Sequence, residues 1–224
     1  MDLRYALYHA LEEEQRAVSD AGRAPTEAAR ILSLAQSAFG ELRGLLAGVD
    51  DGLLDRSPAE GEWSLRETIA HAIGTERSYR AQCEYALSRT AAEPVKMPGE
   101  RRPKPDPAHT AGGIRDVLAR FGEQRASTDA VLGDLAAASL DRPTIWGGAE
   151  VDVRHRLHRF ASHLTEHSIQ CEKAVRALDA FGGDGHSIAK RIGVLRGLHE
   201  RRTDAARLRA LDAALEEAAR AARS

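Results

Sequence analysis

The stretch from Asp152 to Phe181 reads as one long amphipathic helix, and it constrains the chain more than any other segment. Setting His163 at zero and advancing about 100° per residue, Leu157, Phe160, Leu164, Cys171, Val175 and Leu178 gather at roughly 60° to 120°, a single apolar arc. Such an arc requires other elements to cover it. His167 falls near 40° on the same wheel, so His163 and His167 border the arc rather than sit within it or opposite it. That edge suits a pair of metal ligands, because packing holds the rings while one side stays open to an ion and a substrate. One helix supplies two ligands, and a third has to come from elsewhere.

Three further stripes of the same period supply the partners. From about Thr26 to Val49, Ile31, Leu34, Ala38, Leu42, Leu45 and Val49 recur at spacings of three and four. Ser64-Leu-Arg-Glu67 is a capping box: the serine oxygen accepts from a free amide at the helix start and the glutamate reaches back to the serine amide. It opens a second helix with the stripe Leu65, Ile69, Ala72, Tyr79, Cys83 and Ala86. His71 lies on the border of that stripe, the placement already seen for His163 and His167. Ile114, Val117, Leu118, Phe121, Thr128, Val131, Leu132 and Leu135 make a third helix that starts near Gly112-Gly113. Leu140 to Ala149 reads as loop, Asp152 as the cap of the fourth helix, and Gly182-Gly-Asp-Gly185 as its end, the glycines supplying positive φ.

The predicted fold class is therefore all-α, a four-helix bundle with a long crossover between its second and third helices and extra helices at both termini. Between about Thr90 and Thr110 lie five of the chain's eight prolines, together with Lys96, Arg101, Arg102 and Lys104. Roughly eighteen extended residues reach over 50 Å, more than the ~38 Å of a 25-residue helix, so the second and third helices are expected to run parallel. The basic residues read as a solvated strap in preference to a clamp on an anionic ligand. Residues 1–25, with Leu3, Leu7 and Leu11 in one stripe, form an N-terminal helical extension, and 26–183 form the bundle. Residues 184–224, with Ile188, Ile192, Leu195 and Leu198, then Leu208, Leu211 and Leu215, form a charged C-terminal extension. Its thin stripe suits a helix or hairpin lying on the bundle or on a second copy of it, so a homodimer is among the expectations.

The 32 basic and 34 acidic residues leave a formal charge of −2, which gives no footprint for nucleic acid or an anionic membrane. No stretch approaches the roughly 18 apolar residues a membrane span needs. Cys83 and Cys171 sit singly, as reduced thiols would, and Cys171 points far enough into the arc to be a buried structural thiol. A soluble, cytoplasmic protein is expected.

Residues Gly61 to Glu76, containing Trp63-Ser64 and His71, resemble the opening of the second helix of the DinB-like superfamily, and His163-x-x-x-His167 followed by Gln170 resembles the histidine pair of its fourth. The resemblance covers roughly residues 26 to 181. It implies a four-helix bundle in which three histidines, here His71, His163 and His167, bind a divalent metal such as nickel, zinc or iron. Some members of the superfamily are linked to low-molecular-weight thiols such as mycothiol or bacillithiol, as transferases or isomerases. The mycothiol-dependent isomerase branch places a carboxylate at one fourth-helix ligand position where this sequence has histidine, so maleylpyruvate isomerisation is not the expected activity. Taken without His71, the i, i+4 pair would read more simply as two helix-surface residues. With it, three neutral imidazoles suit a borderline dipositive cation and leave a position vacant for chemistry.

Glu76 falls on the apolar arc of its helix, where an unpaired carboxylate is costly. Two readings stand: a hydrogen bond to a liganding histidine's second nitrogen or a proton-transfer role beside the metal, or a salt bridge to an arginine of a neighbouring helix. His155 and His158 turn away from the pair, and His9, His109, His186 and His199 read as solvated. The expectation is a metal-dependent enzyme, a hydrolase or small-thiol-dependent transferase, with a non-catalytic metal-stabilised binding or dimerisation module as the alternative. An enzyme should show a pocket reaching the open coordination position, and a structural site a fourth protein ligand.

Overall fold

Local signals set the helix ends. The computed structural model describes the backbone of residues 3–221 and the side chains of residues 6–213. The side chains of Leu3 and Leu215, assigned to stripes above, lie outside the described residues. Helix α1 spans Leu3–Asp20 and α2 spans Glu27–Leu46, the latter capped by Thr26, whose side chain accepts from the Ala29 amide at 2.9 Å. The predicted capping box at Ser64 and Glu67 is formed in full and starts α3, Leu65–Ser88. Helix α4 covers Ile114–Leu132, with its first amide donated to Asp51 at 2.7 Å, and a helical turn α5, Ala137–Leu140, follows. Asp152 caps α6, Val153–Ala177, through the His155 amide at 2.7 Å. Helices α7, Gly183–His199, and α8, Ala205–Ala221, complete the order.

Cross-helix contacts fix the directions. Glu27 meets Arg154 at 2.5 Å near the starts of α2 and α6, while Lys190 bridges Glu41 and Glu172 near their ends, so α2 and α6 run parallel. Glu76 meets Arg125 and Arg80 meets Ser127, so α3 and α4 also run parallel, as the crossover length requires. Tyr79 against Phe160 and His71 against His167 set α3 antiparallel to α6. The shared core holds Leu42, Leu45, Leu65, Ile69, Phe121, Leu157, Phe160 and Leu164. Leu34 and Val131, predicted for the stripes, are instead exposed at their edges. No helix among the described residues is long and apolar enough to cross a membrane.

Several segments differ from expectation. The stretch read as loop after Leu140 contains a hairpin, β1 (Pro143–Trp146) paired antiparallel with β2 (Ala149–Asp152) around Gly147-Gly148. Both glycines have positive φ, as a two-residue hairpin turn demands. Helix α6 ends earlier than the glycine cluster: Asp179, at φ +56°, takes the left-handed position, and the Asp179 and Ala180 amides donate to the Arg176 and Val175 carbonyls. The crossover is not wholly extended, carrying 3₁₀ turns at Gly99–Arg101 and Pro107–Thr110.

Helix α7 lies on the bundle, as its stripe suggests, and it packs against α2 more closely than that stripe alone implies. Gly40 and Gly44 of α2 face Gly193 and Gly197 of α7, and a β-carbon added at Gly40 or Gly193 would collide with the other's carbonyl oxygen. His186 and His199, read as solvated, are consequently buried. His186 accepts from the Gly182 amide and donates to the Leu45 carbonyl. His199 donates to Glu14 of α1 at 2.6 Å, and Arg196 donates to the same carboxylate at 2.7 Å. Burial alone would raise the Glu14 pKa, but hydrogen bonds from His199 and Arg196 outweigh it and hold the carboxyl below its ordinary value.

Gly193→Ala should destabilise the protein by about 1–3 kcal/mol through overpacking. Gly74→Ala, on an open face of α3 where an added β-carbon meets nothing within 4 Å, should instead stabilise by about 0.5–1 kcal/mol. Urea unfolding measures both, and a Gly193→Ala protein as stable as wild type would refute the close helix approach. Because the folded Glu14 pKa lies below the unfolded value of 4.5, its contribution is complete above that pH and is lost as pH falls through the folded value. The stability gap between wild type and Glu14→Gln should thus narrow only in acid; a gap unchanged down to pH 3 would contradict the ionised assignment.

Candidate metal centre

The caps place the three imidazoles. Starting at Leu65, α3 carries His71 in its second turn, and α6 carries His163 and His167 one turn apart at mid-length on the antiparallel neighbour. The structure brings all three together. Their candidate donor atoms lie within 4.8 Å of one another, and the two Nε2 atoms of α6 are 3.0 Å apart. Ring centroids of His71 stand 5.3 Å from His163 and 4.9 Å from His167. His167 is buried, His163 nearly so, and His71 is exposed.

Surrounding side chains orient these rings. Gln170, one turn after His167, accepts from its Nδ1–H at 2.6 Å, which leaves the Nε2 lone pair facing the other two rings. Tyr79 packs edge-on to His163 and to Phe160, and Trp63 stands 5.2 Å from His71. Burial, then the neighbouring His167 and His71, lower the His163 pKa to about 3. Burial and His167 also lower that of His71, with Glu166 opposing. His163 and His71 are therefore held toward neutral imidazole, the form that ligates a cation. A tetrahedral ion at about 2.0–2.1 Å from each nitrogen spaces its ligands about 3.3 Å apart, close to the 3.0 Å of the α6 pair. The α6 pair fits such an ion, and the His71 donor lies within 4.8 Å of both.

No fourth histidine, cysteine, aspartate or glutamate among the described residues joins the group. Instead His71 and His163 open into a cleft of about 730 Å³ between α3 and the crossover, whose wall includes Arg77, Tyr79, Lys104 and His109. His109, read as solvated, thus belongs to that wall, 3.7 Å from Asp106. The roles of Gln170, Tyr79 and Trp63 were not assigned from sequence. Gln170 had a signal, since i, i+3 on a helix brings its amide to His167; the other two depend on how α3 packs.

Glu76 pairs with an arginine of a neighbouring helix. Its carboxylate, 3% exposed, is held by Arg125 at 2.5 Å, and Arg125 also donates to Asp129 at 2.6 Å, the salt-bridge arrangement of the two readings above. Burial pushes the Glu76 carboxyl up, and the Arg125 charge pulls the other way. His155 packs on Trp146 and His158 is exposed, both apart from the cluster. Cys83 and Cys171 are buried, and burial pushes both thiols up to about 12.

Glu76→Gln should lower stability by about 1–3 kcal/mol, by weakening a buried charge-assisted bond, and leave bound metal per chain unchanged. Unfolding and elemental analysis of one preparation test both halves, and a loss of metal in a fully folded variant would restore Glu76 to the centre.

The sequence pattern of the DinB superfamily matches residues 34–171, a span that contains all three histidines. No curated protein matches the chain. Among solved structures, YfiT from Bacillus subtilis, described as a probable metal-dependent hydrolase with an unusual four-helix bundle topology, superposes with a TM-score of 0.54. The match covers 70% of this chain and 94% of that one at 15% identity, a likeness of fold.

Proposed function

The chain belongs to the DinB superfamily, and from that premise we propose that His71, His163 and His167 hold one divalent cation with which the protein hydrolyses a small substrate. The observation that carries this reading is the open side of the cluster: three imidazoles, no fourth protein ligand among the described residues, and a cleft of about 730 Å³ reaching two of the three. A purely structural metal site would be closed. The likeness to YfiT supports the fold that this centre needs.

A bound cation supplies Lewis acidity, polarising an acyl or phosphoryl oxygen and bringing the acidity of water toward neutral pH. The protein's own residues do the rest. Gln170 fixes the tautomer of His167, Tyr79, itself packed on Phe160, holds the plane of His163, and Trp63 packs beside His71. Substrate enters along the wall formed by Arg77, Lys104 and His109. Cys83 and Cys171 supply no thiolate, since both are buried with raised pKa values. A small thiol entering the cleft is the other nucleophile the open position admits, and it would make the reaction a transfer.

Elemental analysis of the purified protein should find about one divalent ion per chain, and His71→Ala should weaken its retention by at least about 100-fold. Ester, amide and phosphoester probes assayed with and without a small thiol distinguish hydrolysis from transfer. Full metal content in His71→Ala, or turnover that survives chelation, would refute the proposal.

A further inference from the structure

A second cavity, of about 310 Å³, lies on the other side of Tyr79, between the crossover, the β1–β2 hairpin and the start of α6. Its lining includes three cationic side chains, Lys96, Arg102 and Arg156, and no carboxylate. Lys96 and Arg102 are exposed, as strap residues would be. Arg156 is not: it is 2% exposed, yet it makes no ion pair among the described residues. Its guanidinium lies 4.8 Å from the centre of the Tyr79 ring and hydrogen-bonds that side chain, one Nη donates to the Ile145 carbonyl, and Nε is buried with no acceptor. Arg125, equally buried and with its own Nε likewise unpartnered, differs in its charge balance, with the carboxylates of Glu76 and Asp129 both on its guanidinium.

A buried guanidinium without a counter-anion is strongly unfavourable, and desolvation already lowers the Arg156 pKa. Its uncompensated charge at the cavity wall calls for an oxyanion, which guanidinium binds with well-directed hydrogen bonds. Gln82 and Thr144 add neutral polar groups to the same lining. Arg156 precedes His163 by seven residues, two turns, so the two share a face of α6 about 10 Å apart along its axis. Tyr79 lines both this cavity and the metal-side cleft.

We propose that this cavity is an anion subsite, in which Arg156, with Lys96 and Arg102 from the crossover, binds a carboxylate or phosphate group of the substrate. Its connection to turnover rests on the reading of the three-histidine cluster as the reaction centre; the binding of the anion does not. The substrate is then an organic oxyanion whose reacting bond lies about 10 Å from its charged end, on the other side of Tyr79.

Calorimetric titration of the purified protein with succinate and, separately, inorganic phosphate tests the subsite and tells a carboxylate from a phosphate preference. Arg156→Met should weaken binding of the preferred probe by at least about tenfold while retaining the bound metal, and should unfold at the same temperature as wild type or higher, because it removes an uncompensated charge. The Lys96→Gln/Arg102→Gln double variant, confined to exposed side chains, should weaken binding by about tenfold without touching the core. His71→Ala should lose metal and keep anion binding. Undiminished binding in the double variant, or in Arg156→Met, overturns the subsite. Loss of anion binding in His71→Ala also overturns it, by placing the anion on the metal, and leaves the metal assignment standing. Absence of metal throughout, with anion binding still lost in Arg156→Met, supports the subsite and removes the reaction centre instead.

Discussion

A single helix presents two side chains to one ion at i and i+4, and a third donor on the open side must come from a neighbour held in fixed register. The antiparallel packing of α3 on α6 provides that neighbour, and it is pinned along its length. At its start Arg66 binds Asp55 and the carbonyl of Gly112, at its middle Glu76 meets Arg125 of α4, and at its end Arg142 donates to the carbonyls of Ala86 and Arg89. A slide of one turn at any of these points would carry His71 about 5 Å along the axis and away from His163 and His167. The Glu76–Arg125 pair is thus one of several ties that hold α3 in register, so its weakening alone leaves the others to keep His71 in place.

How far the sequence anticipates this depends on the kind of signal. Caps are local chemistry, so Ser64, Glu67 and Asp152 gave the starts of α3 and α6 correctly, and with them the facing positions of the three histidines. Apolar stripes are nearly as direct, and they failed only at edges such as Leu34 and Val131. The stripe Ile188 and Ile192 anticipated that α7 packs, but its close approach to α2 left no such mark. It docks through Gly40, Gly44, Gly193 and Gly197, where contact depends on the absence of side chains, and a hydrophobic count reads those positions as empty. His186 and His199 were misplaced for the same reason. The hairpin did have a signature in Trp146-Gly-Gly-Ala149, overlooked beside the helical periodicity around it. Glu76 marks a firmer limit: sequence shows that a carboxylate on an apolar arc needs a partner, and only packing shows that the partner is Arg125.

The buried polar groups sort by whether the fold completes them. Glu14 with His199 and Arg196, and Glu76 with Arg125 and Asp129, are closed networks, each charge met by an opposite one on another helix or one turn away. His163 and Arg156 are different. Both are desolvated, neither has a protein counter-charge among the described residues, and each faces a cavity. In a chain able to close the first two networks, the open ones are where the proposed complements would be received, a cation by the imidazoles and an anion by the guanidinium.

Topology explains why those cavities lie where they do. Parallel neighbours α3 and α4 cannot be joined by a tight turn, so the chain must travel the length of the bundle between them. It does so over the outer side of α3, tied by Tyr85 to the carbonyl of Pro94 and by Arg77 to the carbonyl of Lys104. Proline fixes φ along the segment, so the crossover spans the distance with few conformations to lose. Its 3₁₀ turns set Lys96 and Arg102 over one cavity, and Lys104 and His109 over the other. A bundle with short antiparallel connections would bury its four helices as well and would leave the imidazole edge of α6 bare to solvent. The connection that parallel order imposes is therefore also the wall that turns a cluster of histidines into a cleft.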